Sequence, residues 1–206
     1  MSGIKGEKAG LILAMMLIYI LCRTQHEAYP QVKTVYNCEQ DVQNWEIPDW
    51  SVWEDDYVFP VLAIDKNFSN RAELGLKLTV SFPAEEWRAG IVETEGFFDL
   101  TLYRKLVCDI YLPRSAPKGI WARIIIVSGN EYLWIEMVDP VFLTPGRRTT
   151  VSGNLKYGNR AWRYSGEATM MTDELKSDIR KIAIRVESDG AAYKGPVYID
   201  RIKLVK

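Results

Sequence analysis

The sequence is almost empty of histidine. Its one copy, His26, lies beside an N-terminal apolar run, so the remainder of the chain has no imidazole. A domain without histidine cannot assemble a Ser-His-Asp or Cys-His nucleophile and base, nor a His-ligated zinc site. A Gly-rich phosphate loop, a Cys-x-x-Cys pair and an EF-hand loop are also missing. The net charge is only -1 and the 26 basic residues are scattered rather than gathered in a stripe, which argues against a nucleic-acid partner. Cysteine is scarce. Cys22 ends the leader's apolar run, while Cys38 and Cys108 have two readings: one disulfide in an oxidising compartment, or two separate buried thiols.

Long apolar runs are absent except for Ala9 to Cys22 (AGLILAMMLIYILC), preceded by Lys5 and Lys8 and closed by Arg23. That run is too short to span a bilayer comfortably and fits the h-region of a signal peptide, with an uncleaved anchor as the alternative. The expected organisation is a signal peptide or anchor over residues 1–28, a tether over 29–35 and one domain over 36–206. The domain would be delivered outside the cytoplasm, either secreted, periplasmic or held at the cell surface by the N-terminal segment.

Aromatic side chains are plentiful, with seven Trp and eleven Tyr. One small core does not easily absorb that many amphipathic rings, so some are expected to face solvent or a ligand. From residue 34 the chain reads as short β-rich runs separated by turns, the pattern of an all-β sandwich or barrel. The expected strands are Thr34–Cys38, Tyr57–Ile64, Leu74–Phe82, Arg88–Glu95, Lys105–Leu112, Ile120–Ser128, Tyr132–Val138, Arg148–Ser152, Arg180–Glu187 and Val197–Leu204. Ser128-Gly129-Asn130 reads as a tight hairpin. Pro145-Gly146 fits a type II turn, with Pro fixing one φ and Gly permitting the positive one. One short helix is expected at Asp173–Asp178, capped by Thr172 or Asp173.

Side chains two apart on a strand share a face. Leu106, Cys108, Ile110 and Leu112 therefore oppose Val107, Asp109 and Tyr111. Ile120, Ala122, Ile124 and Ile126 oppose Trp121, Arg123, Ile125 and Val127. Leu133, Ile135 and Met137 oppose Tyr132, Trp134 and Glu136. Each strand offers one aliphatic face to a core and a second on which rings mix with charges. The hairpin makes neighbours of Trp121, Arg123, Tyr132, Trp134 and Glu136. Asp109, Tyr111 and Arg185 extend the surface if their strands join the same sheet. The alternative is that these rings form a secondary core under loops.

Several segments resemble, in order, the galactose-binding-like jelly-roll carbohydrate-binding modules appended to bacterial mannanases, glucanases and xylanases. They are Tyr36-Asn37-Cys38-Glu39 followed by Asn44-Trp45; Ala72 to Thr79 (AELGLKLT); Phe98 to Leu112 (FDLTLYRKLVCDIYL); Leu143 to Val151 (LTPGRRTTV); and Gly195 to Leu204 (GPVYIDRIKL). The resemblance covers residues 36–206. It implies a jelly-roll β-sandwich that binds a polysaccharide or oligosaccharide and does no chemistry. It also implies a structural Ca²⁺ near the first and last strands, with Glu39 and Asp200 at the matching acidic positions.

Sugar rings present an apolar C–H face and a rim of hydroxyls, which the mixture of Trp121, Tyr132 and Trp134 with Arg123 and Glu136 can meet. Trp87 and Trp162 are expected on loops closing the groove ends. A small polysaccharide-active enzyme is a weaker alternative, because no pair of carboxylates has the spacing that flanks a glycosidic bond. A structural or assembly protein using the same face for a protein partner is the other.

Overall fold

The computed structural model describes residues 31–36, 41–66 and 74–206. The leader, Cys38 and Glu39 lie outside the described residues. Fourteen strands follow in chain order: β1 (Val32–Tyr36), β2 (Trp45–Glu46), β3 (Val61–Asp65), β4 (Gly75–Phe82), β5 (Trp87–Phe98), β6 (Lys105–Tyr111), β7 (Ile120–Ser128), β8 (Leu133–Met137), β9 (Val141–Phe142), β10 (Arg148–Asn154), β11 (Trp162–Tyr164), β12 (Glu167–Thr169), β13 (Ile179–Asp189) and β14 (Tyr193–Val205). One helix, α1 (Asp173–Ser177), precedes β13, and the Thr172 hydroxyl accepts from Leu175 N as its N-cap.

These strands build two antiparallel sheets. The six-stranded sheet runs β10-β6-β14-β4-β3, with β1 also on β14. The eight-stranded sheet runs β12-β11-β8-β7-β13-β5-β2, with β9 on β7 where β8 has left it. This is the all-β sandwich that the turn-separated runs predict.

Alternation sets the core. Leu106, Cys108 and Ile110 of β6 face Ile120, Ala122, Ile124 and Ile126 of β7 within one buried cluster, together with Leu76, Leu78, Val197 and Ile199. Cys108 is a free, fully buried thiol, and burial pushes its pKa up. The expected turns also form. Gly129 and Gly146 both have positive φ, and Arg147 N closes the Pro145-Gly146 turn onto Thr144 O.

Four expectations are corrected. Residues 32–35 are not tether but part of β1, which pairs with Lys203, Leu204 and Val205 of β14. Residues 57–60 lie outside β3. Trp162 is not on a loop: it belongs to β11 and is 0% exposed in the core. Its indole packs over Gly153, where a Cβ would meet Cζ2 at 2.7 Å, and its Nε1 donates to Asn154 O at 2.6 Å. Trp87 opens β5 rather than lying on a loop.

Candidate functional site

The outer face of the eight-stranded sheet follows from register. Arg185 on β13 stands opposite Arg123 on β7 and Ile91 on β5, and Glu187 stands opposite Trp121 and Ala89. Ile125 on β7 faces Glu136 on β8, and Val127 faces Trp134. Arg163 on β11 then faces Glu136. Two-residue periodicity thus places Trp87, Trp121, Arg123, Trp134, Glu136, Arg163, Arg185 and Glu187 on one surface.

A segment with no periodicity roofs part of that surface. After β2 the chain forms a 3-10 turn, Asp49–Val52, and returns to the β5 edge, where Val58 N donates to Ala89 O and Ala89 N to Asp56 O. The arch carries Trp50 across the sheet. Its ring meets Trp134 edge-on at 5.5 Å and Tyr57 at 5.1 Å, and Tyr57 in turn meets Trp87 at 6.5 Å. Beneath these rings lie the buried side chains of Ile91, Ile125 and Ala183. Trp50, Tyr57 and Trp134 are therefore both a small secondary core and the wall of a groove. A cavity of about 430 Å³ is lined by Trp50, Glu54, Tyr57, Trp134 and Arg185. A second of about 300 Å³, lined among others by Glu136, Arg163 and Tyr164, shares Trp134 and Arg185 with the first.

The polar part of the face is held by short ionic bonds. Glu187 is buried and accepts from Trp121 Nε1 at 2.6 Å, Arg123 Nε at 2.8 Å and Arg185 Nε at 2.9 Å. Arg123 Nη1 also donates to Met137 O and Val138 O. Arg185 reaches Glu136 at 2.6 Å and lies over the Trp87 ring at 5.9 Å. Arg163 donates from Nε to Glu136 Oε1 at 2.5 Å. Burial alone would raise the Glu136 pKa, but Arg185, Arg163 and Arg123 together outweigh it and hold the carboxyl below its ordinary value. Burial also raises the Tyr57 phenol above its usual value despite Arg185 alongside. The charged side chains of the face are thus paired with one another.

The structure brings together Trp87, Trp121, Arg123, Trp134, Glu136 and Arg185 from the expected set and separates the others. Asp109 and Tyr111 are on β6, in the six-stranded sheet, because β6 pairs with β10 and β14. There Asp109 accepts from Thr150 Oγ1 at 2.6 Å and Tyr111 packs against Tyr198. Tyr132 precedes β8 with a φ of 53°, a left-handed turn that interrupts the alternation which would otherwise align it with Trp134. Trp162 lies on the opposite, buried side. Sequence reasoning missed Trp50, Glu54, Tyr57, Arg163, Tyr164 and Glu187. The crowding of Trp45, Trp50, Trp53 and Tyr57 into one stretch was the available signal.

Asp200, one of the two residues matched to a calcium site, is buried on β14 directly opposite Asp109, with Arg201 Nε 3.8 Å from its carboxylate. Among the described residues no three His, Cys, Asp or Glu side chains gather as a metal would need. Glu39 lies outside them, so they supply one carboxylate of the expected pair.

The sequence matches the family model for carbohydrate binding module 27 over residues 24–206. Similar solved structures include the first such module of Caldicellulosiruptor saccharolyticus in complex with mannohexaose, with a TM-score of 0.59 and 16% identity, covering 84% of this chain and 96% of that one. TmCBM27, described for specific mannan recognition, has a TM-score of 0.52 and 20% identity, covering 85% and 95%. A family 11 module of Clostridium thermocellum, bound to a β-1,3-1,4-mixed-linked tetrasaccharide, has a TM-score of 0.55 and 14% identity, covering 87% and 97%. No curated protein matches the sequence.

Proposed function

The chain belongs to carbohydrate binding module family 27, a family of non-catalytic glycan binders, and from that premise we propose that it holds a mannan-type polysaccharide in the groove of the eight-stranded sheet. The observation that carries this reading is the groove shared by Trp134 and Arg185, walled by Trp50 and Tyr57 on one side and by Glu136 and Arg163 on the other. Rings cover the C–H faces of sugar units. Paired Arg and Glu side chains keep spare donors and acceptors for hydroxyls, already fixed in place, so little ordering entropy is lost on binding. The mannohexaose complex and the mannan recognition of the two family relatives support the sugar class.

Binding without cleavage also fits the electrostatics. A glycosidase acid needs a carboxyl with a raised pKa. Glu136 is lowered, and Glu187 is taken by two arginines and an indole.

Titration calorimetry with mannohexaose tests the reading. Trp134→Ala is expected to lower affinity about tenfold, roughly 1.4 kcal/mol, toward the lower end of stacking on one ring. Because Trp134 also covers Ile125, the folded fraction of the variant is measured alongside. Equal affinity in a folded variant would remove Trp134 from the site.

Export outside the cytoplasm and a structural Ca²⁺ held by Glu39 and Asp200 belong to the same proposal. The first rests on the Lys-flanked leader, the second on the resemblance of the first and last strands. An unchanged melting temperature in chelator, with no metal in the dialysed protein, would dispose of the ion.

A further inference from the structure

The ionic network of the eight-stranded face does not balance. It joins three guanidiniums, those of Arg123, Arg163 and Arg185, to two carboxylates, those of Glu136 and Glu187. One positive charge is left over. Burial decides where that surplus is felt. The Glu187 side chain is 2% exposed and that of Glu136 10%, and Arg123 and Arg185 are covered almost as well. The Arg163 side chain, by contrast, is 33% exposed. What the network shows to solvent is therefore a guanidinium.

The two cavities receive that charge unequally. The first carries Glu54 beside Arg185, one charge of each sign. The second carries Arg163 and Arg185, with Glu136 bonded to both. Its volume of about 300 Å³ lies at the lower end of the range for small-ligand pockets. Register puts Arg163 there, since β11 sets it opposite Glu136 on β8. Glu136 engages Nε and Nη2 of Arg163, which leaves Nη1 for a ligand. Trp134 and Tyr164 add rings to the lining, and the β11–β12 turn adds Ser165 and Gly166.

We propose that this second cavity receives a sugar unit carrying a carboxylate, so that the protein binds a uronate-bearing mannan-type chain more tightly than a neutral one. This rests on the glycan reading of the groove and narrows its ligand class. A planar carboxylate matches the guanidinium fork, the geometry in which Glu136 already meets the same two arginines. A carboxylate on C5 of mannose replaces the hydroxymethyl group without adding bulk, so the ring stacking is kept. Arg163 is partly buried, and salt screens such a pair less than one at an open surface.

The experiment is calorimetric titration with mannohexaose and with β-1,4-linked hexamannuronate, which keeps the chain length and carries a carboxylate on every unit. At low ionic strength wild type is expected to bind hexamannuronate about tenfold more tightly, the scale of one hydrogen bond to a charged group. Added salt should narrow that preference. Arg163→Gln keeps an amide that can donate to Glu136 but removes the surplus charge, and its two affinities should become equal. Arg163→Lys restores the charge and should retain most of the preference. A wild type that binds mannohexaose at least as tightly as hexamannuronate would overturn the carboxylate site, as would an undiminished preference in Arg163→Gln; the glycan reading of the groove survives either result. Binding of hexamannuronate alone supports the site and overturns the neutral-mannan reading. A folded wild type that binds neither sugar overturns both.

Discussion

The two outer faces of the sandwich pose the same electrostatic problem and solve it differently. On the eight-stranded face, Arg123 and Arg185 stand directly opposite each other on neighbouring strands. On the six-stranded face, Asp109 and Asp200 do the same. Like charges in register destabilise a sheet unless something intervenes. Between the two arginines sits Glu187, buried, with bonds of 2.8 and 2.9 Å to them. On the other face Arg148 and Arg201 each stand 3.9 Å from Asp109 and are one-third exposed. A roof of Trp50 and Tyr57 covers part of the first face, while the second has the Tyr111–Tyr198 pair lying along it. Both faces mix rings with charges. A buried carboxylate bonded to both arginines and a roof of Trp50 and Tyr57 distinguish the eight-stranded face.

The strongest way to break this contrast is to remove the central carboxylate. Glu187→Ala leaves Arg123 and Arg185 buried and opposed, and an uncompensated buried charge costs about 3–5 kcal/mol. Denaturant unfolding should show that loss, with Glu187→Gln losing less. A loss below 1 kcal/mol for the alanine variant would mean that water reaches the network and the face is not rigid.

This contrast was only partly legible in the sequence. Period-two alternation separated the aliphatic faces of the β6, β7 and β8 runs from their mixed faces, and those core faces are buried as expected. Alternation is local, however, and does not say which sheet a strand joins. Asp109 and Tyr111 carry the same ring-and-charge pattern as Trp121 and Arg123, yet long-range pairing of β6 with β14 puts them in the other sheet. The left-handed φ at Tyr132 breaks a pattern that looks unbroken in the letters. The roof was harder still. Trp50 and Tyr57 follow no period, and the contact of Trp50 with Trp134 joins residues far apart in the chain. Glu187 was visible on its strand, but its bonds to β7 depend on register, which alternation does not supply.

Acid sharpens the comparison at intermediate cost. Glu136 is held below its ordinary pKa in the folded state, so its contribution to stability is fully present above the unfolded value, about 4.3. That contribution is lost as pH falls through the lower folded value. Wild type should therefore lose melting temperature in that window beyond what Glu136→Gln loses, and the two curves should converge at its acid end. At neutral pH the glutamine variant, whose amide still accepts from one arginine, should be destabilised by about 1–3 kcal/mol. Parallel curves across the window would show that Arg163 and Arg185 do not hold Glu136 ionised.

The smallest effect is expected on the other face, and its smallness is the point. Asp109→Asn keeps an oxygen that can accept from Thr150 Oγ1, which stands 2.6 Å from the carboxylate. The change forfeits two contacts of 3.9 Å to arginines that solvent already screens. In return it removes one of two carboxylates facing each other across β6 and β14. Loss and relief are of similar size, so the variant should unfold within about 0.5 kcal/mol of wild type, with unchanged affinity for mannohexaose because Asp109 lies on the opposite sheet. The sign carries information too. A slight gain would mean that repulsion from Asp200 outweighs the arginine contacts. A loss above 2 kcal/mol would mean that Asp109 is part of a tighter arrangement with Asp200, and the two faces would then differ in composition but not in rigidity.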